Sequence, residues 1–372
     1  MSAARMTSLS GNELFCMSLK GFRPKGVVVG NSVYSMGVLG GLKSAFSGTI
    51  GGEVTAVTEM IHNGRLTAFG RMVDESDKLG NCAVVGVSSQ LRGLAGNAEF
   101  LFVGSAVEGG SGSRKFTGAG DAQELYCHMD AGYQPQKFVF GNIAYSVGLG
   151  GGLTGALKTM MRGEIKEFSD IFNATRHHAL ERMTGEAKEA GANSVVGVRT
   201  HIREFHGFHE MYMTGTAATN PRLGPGNNGT PVSSDLTGEE LWAMTKLGYA
   251  PIKLLMSTAV YSLGTIGGFK AMLKGFGKGE ISDLTTMVYD ARENVFDRLH
   301  SEAASIGAED VVGLKMYIVE LGSSLIEMIA IGTAVRKTSG VAVETPDLPV
   351  QAIIRDKDTW MSGNAGFDLQ DS

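Results

Sequence analysis

The sequence predicts an α+β protein made of three tandem small α/β units, each a mostly antiparallel sheet packed by one long helix. Three observations carry this. The segment NELFCMSLKGFRPKGVVVGNSVYSMG (12–37) returns as QELYCHMDAGYQPQKFVFGNIAYSVG (123–148) and as EELWAMTKLGYAPIKLLMSTAVYSLG (239–264), at offsets of 111 and 116 residues. A fixed period marks repeated structural units. In the third copy, apolar residues recur at spacings of three and four through Ile281, Leu284, Val288, Ala291, Val295, Leu299, Ala303 and Ile306, which puts one apolar stripe on a helix. Each copy also closes on paired β-rich runs, such as VVGVRTHIREF and HEMYMTGTAA, which read as an antiparallel hairpin.

Taken in order, each copy opens on a short helix (Glu13-Leu14-Phe15 and its counterparts) and continues into an apolar run such as KFVFGNIAYS, a buried strand. A Gly-rich stretch follows. Glu53, Glu164 and Glu280 then stand where the amphipathic helix begins, facing its positive dipole end and repelling a phosphate. The helix runs for about 27 residues, roughly 40 Å, and stops at Gly80, Gly191 and Gly307, where a left-handed residue is needed. The closing runs begin with Val-Val-Gly at Gly86, Gly197 and Gly313, and end with Gly-(Ser/Thr)-Ala at Gly104, Gly215 and Gly332. The units therefore span 8–107, 121–218 and 236–336, separated by the Gly/Ser/Pro/Asn-rich linkers 108–121 and 219–235, read as flexible. Residues 337–372 match no repeat and read as a poorly ordered or docking tail.

Composition excludes several classes. With 43% hydrophobic and 19% charged residues the chain is globular and not disordered. A net charge of −5 without a basic run removes the footprint of a nucleic-acid binder. Cys16, Cys82 and Cys127 are too few and too scattered for a disulfide framework or a metal knuckle. They fit a reducing, cytoplasmic setting, as does the lack of an apolar leader in the first residues. The uncharged stretch 138–157 has the length of a membrane span, but its glycines favour a buried strand and loop over membrane contact.

The text EAGANSVVGV (189–198) with TGTAA (214–218) repeats as SIGAEDVVGL (305–314) with IGTAV (331–335), and as KLGNCAVVGV (78–87) with VGSAV (103–107). Behind a Gly-rich segment and a long helix, this text resembles the YbjQ-like family of heavy-metal-binding domains. The resemblance implies a small α/β subunit that assembles into closed, typically fivefold rings. Typical members carry one copy per chain, so five copies of this chain would bring fifteen units, enough for three stacked rings.

Residues shared by all three copies serve the common unit. Arg65, Arg176 and Arg292 coincide, as do Arg71, Arg182 and Arg298, and as do Glu75, Glu186 and Glu302. The second arginine and the glutamate are four apart on the helix, an ion-pair spacing, and read as structural or inter-subunit pairs. Tyr34, Tyr145 and Tyr261 recur beside the Gly-rich loops. No copy holds GxxxxGK(S/T), and GLGGGLTG (148–155) lacks the setting of a dinucleotide fingerprint. The best metal candidates are His201, His206 and His209, where His201 and His209 would face each other across a hairpin and recruit a divalent transition metal. The expectation is a non-enzymatic, homo-oligomeric ring or binding protein without cofactor, self-associating as a pentamer. The alternatives are a heavy-metal binder using the second-unit histidines and a pore-like or ligand-binding ring with its sites at the Gly-rich loops.

Overall fold

The structure, a computed structural model, describes residues 5–35, 52–110, 115–146, 163–205, 208–224, 229–262, 282–322, 325–349 and 360–362. Unit 1 holds α1 (Gly11–Leu19), β1 (Phe22–Tyr34), β2 (Gly52–Glu53), α2 (Thr55–Lys78), β3 (Ala83–Leu94) and β4 (Asn97–Gly109). Unit 2 repeats it with α3 (Ala122–Asp130), β5 (Gln134–Ser146), β6 (Gly163–Glu164), α4 (Lys166–Glu189), β7 (Ser194–Phe205) and β8 (Phe208–Thr219). Unit 3 follows β9 (Val232–Ser233) with α5 (Gly238–Lys246), β10 (Tyr249–Ser262), α6 (Ser282–Ser305), β11 (Asp310–Gly322) and β12 (Leu325–Lys337), and β13 (Trp360–Ser362) comes last. The chain is α+β, as the repeat implied.

In every unit the long first strand pairs antiparallel with the second strand of the hairpin, giving the orders β1-β4-β3, β5-β8-β7 and β10-β12-β11. The Val-Val-Gly text has a structural reason. Gly86, Gly197 and Gly313 take φ of +64°, +61° and +65°, and the ladder shifts register there, between Val85 and Ser88, Val196 and Arg199, and Val312 and Lys315. A bulge with a left-handed residue is the place a strand needs glycine. The long helices have 24 residues each. They end where expected, with Gly80, Gly191 and Gly307 all left-handed.

Each unit's sheet buries one face on its own long helix, and the helix then carries the next unit. The side of α2 with Val57 and Ile61 shares a core with Phe138, Phe140, Ala144 and Tyr212 of unit 2. Likewise Phe168 and Phe172 of α4 share a core with Leu254, Met256 and Val260 of unit 3. Among the described residues the apolar core of helix α6 is shared with its own sheet, through Leu299, Met328 and Ala330. The short helices α1, α3 and α5 form a row, tied where Trp242 Nε1 donates to Asp130 Oδ2 at 2.8 Å.

Two sequence readings are corrected. The linkers are not loose where described: Val84 N donates to Phe116 O and Gly118 N to Val84 O, while Val198 N donates to Ser234 O and Ser234 N to Val195 O. Unpaired edges of β3 and β7 recruit the linker backbone, because edge amide groups seek partners. The tail is not poorly ordered over 338–349. Thr345 N and its Oγ1 donate to Asp130 Oδ2 at 3.1 and 2.8 Å, and Glu344 pairs with Lys20 at 2.8 Å. Val343 and Leu348 pack on the core beneath α1 and α3, so the docking is internal. Residues 138–146 of the uncharged stretch lie in β5, and 147–157 fall outside the described residues. No helix among the described residues is long and apolar enough to cross a membrane.

Burial also sets a pH dependence. His128 in α3 is 1% exposed with neither ring nitrogen partnered, and burial, followed by the nearby Arg199 charge, lowers its pKa to about 4. A folded value below the unfolded one means this stability is present above pH ~6.5 and is lost as pH falls toward 4. The corresponding residues in units 1 and 3 are Met17 and Met244. We expect His128→Met to remove about 2 kcal/mol of the stability loss between pH 7.5 and 5, measured by urea unfolding at both values. A stability difference from wild type that ignores pH would refute the assignment.

Candidate functional site

The joint between units is where the repeated residues converge. Arg65 leaves α2, is fully buried, and meets Glu210 on β8 of unit 2 in a two-pronged pair, with Nη2 donating to Oε2 at 3.1 Å. Its guanidinium lies 3.6 Å over the Tyr212 ring. Arg203 closes the same carboxylate from its own hairpin, Nε donating to Oε2 at 2.8 Å. Burial alone would raise the Glu210 carboxyl, but the Arg65 and Arg203 charges overcome that and hold it at about 2. The second joint repeats the design. Arg176 of α4 is fully buried against Glu327 of β12, Nε donating to Oε1 at 3.1 Å, and stacks 3.9 Å over Tyr145. Backbone contacts repeat with it: Val54 N donates to Ala144 O and Ile165 N to Val260 O, both at 2.8 Å. Ala144 N donates to Thr58 Oγ1 and Val260 N to Ser169 Oγ, both at 2.9 Å.

A second ion pair crosses each joint. β2 of unit 1 adds to the edge of β5, and β6 of unit 2 to the edge of β10. This carries Glu53 to Arg182, 2.7 Å from Nη2 to Oε1, and Glu164 to Arg298. Two expectations are thereby corrected. Glu53 and Glu164 sit in strands before their helices and spend their charge on the next unit, while Glu280 lies outside the described residues. Among the described residues the helical Arg-Glu spacing makes no pair either. Arg71, Arg182 and Arg298 instead donate to the carbonyls of Asn31, Asn142 and Thr258 at 2.6, 2.9 and 2.6 Å. Glu75 and Glu186 accept from the backbone N–H of Val29 and Phe140, and Glu302 pairs with Lys253 at 2.6 Å. The sheet beneath the helix offers each partner a better bond than an exposed side-chain pair. The tyrosines also turn to their own helices, Tyr34 OH to Thr67, Tyr145 OH to Arg176 and Tyr261 OH to Asn294.

The expected facing of His201 and His209 across the hairpin is not what the register gives. Glu204, not His201, lies opposite His209, and His201 lies opposite Tyr212. Alternation along a strand then puts His201 and His209 on opposite faces of the sheet. His209 stacks on Tyr145 and His201 on Tyr212, and His206 lies outside the described residues. Among the described residues, no group of three or more His, Cys, Asp or Glu is placed to hold a metal ion. Cys16, Cys82 and Cys127 are buried, and burial pushes the Cys16 thiol up to about 11. Among the described residues these donors do not converge on one heavy-metal centre. The Gly-rich loops 36–51, 147–162 and 263–281 lie outside the described residues.

The glutamate half of the joint was the residue that sequence reasoning missed. Its signal was present: AEFLFVG, HEMYMTG and IEMIAIG put Glu99, Glu210 and Glu327 at one place in an apolar strand. A carboxylate there is costly unless paired. Glu210 has two arginines, whereas Glu327 has Arg176 and the Thr258 hydroxyl at 2.8 Å, with Val319 facing it across the strands. Arg176→Met is therefore expected to cost about 3–5 kcal/mol, as for a buried pair losing one partner, and Arg65→Met to cost less. Urea unfolding of the two variants checks this, and the reverse order would contradict it.

A family model, YbjQ_1, described as "Putative heavy-metal-binding", matches residues 20–109, 132–220 and 249–338. An encapsulin nanocompartment protein of Mycobacterium tuberculosis is 30% identical over 242 residues, covering 63% of this chain and 90% of that protein. A UPF0145 protein of Methanocella arvoryzae is 38% identical over 92 residues, 24% of this chain and 77% of that one. Another, of Clostridium perfringens, is 42% identical over 86 residues, 22% and 79% of the two chains. No solved structure matches. With its model matched once in each of the three units, the YbjQ family is the one to which this chain belongs.

Proposed function

We propose that the chain is a non-enzymatic, self-assembling scaffold whose copies join into closed rings. One observation carries the reading: the joint between units 1 and 2 is built again between units 2 and 3, from the same positions. Such a contact is heterologous, the helix of one unit on the sheet of the next, and it does not end itself. Repeated contacts of this kind continue into a ring or a filament. The similarity to an encapsulin nanocompartment protein supports a shell-like role. A net charge of −5 and three buried free thiols support a cytoplasmic setting without nucleic acid. The residues that recur in all three units are used in packing and in joints, which supports a role without catalysis or cofactor.

For the stoichiometry we propose five chains, the order that the family resemblance implies. Native mass spectrometry of the untagged protein at micromolar concentration tests both levels, with a five-chain mass expected. Another whole number of chains discards the fivefold order alone, and single chains discard the scaffold.

A further inference from the structure

Two surfaces are left over when the joints inside the chain are complete, and they correspond in position to the two halves of those joints. On unit 1 the sheet face turned away from α2 has no unit before it. Its Val27, Val29 and Val33 are 37%, 43% and 49% exposed, although the residues at the same places in unit 2, Phe138, Phe140 and Ala144, and in unit 3, Leu254, Met256 and Val260, are buried to within 1%. Glu99 stands in the same register, opposite Val33 as Glu210 is opposite Ala144 and Glu327 opposite Val260. Arg92 lies across from Glu99 on the hairpin, as Arg203 does from Glu210. The half of the joint that carries the acid is therefore intact. Among the described residues Arg71 donates only to the Asn31 carbonyl, while its counterparts Arg182 and Arg298 also hold a glutamate of the preceding unit.

On unit 3 the outer face of α6 has no unit after it. Arg292, the counterpart of the buried Arg65 and Arg176, is half-exposed and pairs with its sequence neighbour Glu293 at 2.7 Å. It rests 4.5 Å from the centre of the Tyr289 ring, which is itself 52% exposed. Tyr289 occupies the place of His62, whose ring lies 5.2 Å from Phe140 in the first joint. Thr285 occupies the place of Thr58 and Ser169, whose hydroxyls take a backbone N–H of the next unit. Among the described residues, base, hydroxyl and ring are all kept at positions that meet no other unit.

We propose that the partner of both surfaces is a second copy of this chain, bound head to tail, with α6 of one copy seated on the β1 and β4 face of the next. Arg292 enters the dry centre of that joint and pairs with Glu99 of the neighbouring copy, Tyr289 covers Val29, and Thr285 takes a backbone N–H beside Val33. The continuity with two joints already formed fixes this occupant. The charges match in sign and in register, and a buried arginine or glutamate in such a place is stable only when paired. The inference rests on the self-assembly reading above and specifies its contact.

The test exchanges the two charges in the full chain. Glu99→Arg and Arg292→Glu, each alone, are expected to raise the dissociation constant of the assembly at least about tenfold, read by native mass spectrometry and sedimentation. The doubly exchanged chain is expected to regain the wild-type mass, because every joint then has one base and one acid. Both positions are partly exposed in the single chain, so its thermal unfolding should stay near wild type. As an independent measurement, Val29→Cys with Tyr289→Cys should give intermolecular disulfides on mild oxidation, since the native thiols are all buried. Single variants that keep the full wild-type mass, or no intermolecular disulfide, would overturn this contact and leave the scaffold standing. Wild-type protein found as single chains would remove both.

Discussion

The fold depends on a charge placed where charge is most expensive. Arg65 and Arg176 are fully buried between two sheets, among Phe, Tyr and Met side chains, and each is neutralised by a glutamate of the next unit. Stripping both ions of water costs several kcal/mol per ion, which the pair recovers only with good geometry and further hydrogen bonds. The geometry is supplied. Two-pronged contacts and aromatic faces surround the guanidiniums. An apolar pairing of the same volume would hold the units at least as firmly but would tolerate sliding. A buried ion pair does not: a one-residue slip turns the glutamate to the other face of the sheet. Such a pair constrains register, because only one alignment leaves both charges paired.

That constraint explains the rest of the unit. If the helix is to face two sheets, it needs apolar residues on two sides, and its first strand needs them on both faces. β5 and β10 are accordingly buried almost throughout, whereas β1, with no unit before it, alternates. Close approach has a cost in side chains as well. A Cβ on Gly141 would lie 1.9 Å from the Ala179 carbonyl oxygen, so the strand can pass beneath α4 only as glycine.

Much of this was legible in the sequence. The repeat located the units, spacing located the helices, and the Val-Val-Gly text marked bulges that proved to require positive φ. The arginines were found because they recur. Their partners were not, since Arg65 and Glu210 are 145 residues apart and nothing local joins them. Reading the lone glutamate in an apolar strand as a demand for a partner would have closed that gap. The histidines misled for a related reason. His201 and His209 are near in sequence, but a tight hairpin inverts the count, and three residues of offset are enough to put them on opposite faces. Of the two readings of the tail, poorly ordered or docking, residues 338–349 follow the second through a few bonds to one buried carboxylate, Asp130, that polar composition alone does not reveal.

The three joints need not be equally strong, and the side chains indicate an order. The first is lined with aromatic rings, Phe69 and Phe138 with centroids 5.5 Å apart and Phe102 edge-on to Phe138 at 5.7 Å. Phe side chains bury on the order of 150–250 Å² each and gain a further increment from their mutual geometry. The open face of unit 1 presents Val27 and Val29 at those places, which bury less area and so contribute less at roughly 25 cal/mol per Å². The covalent link adds to the difference. Units within one chain meet at an effective concentration in the millimolar range, whereas two chains meet at their actual concentration. The joints inside the chain thus have both the larger apolar surface and the covalent link in their favour. In the proposed head-to-tail contact, the charged pair would set the alignment and the small apolar face would leave assembly dependent on protein concentration.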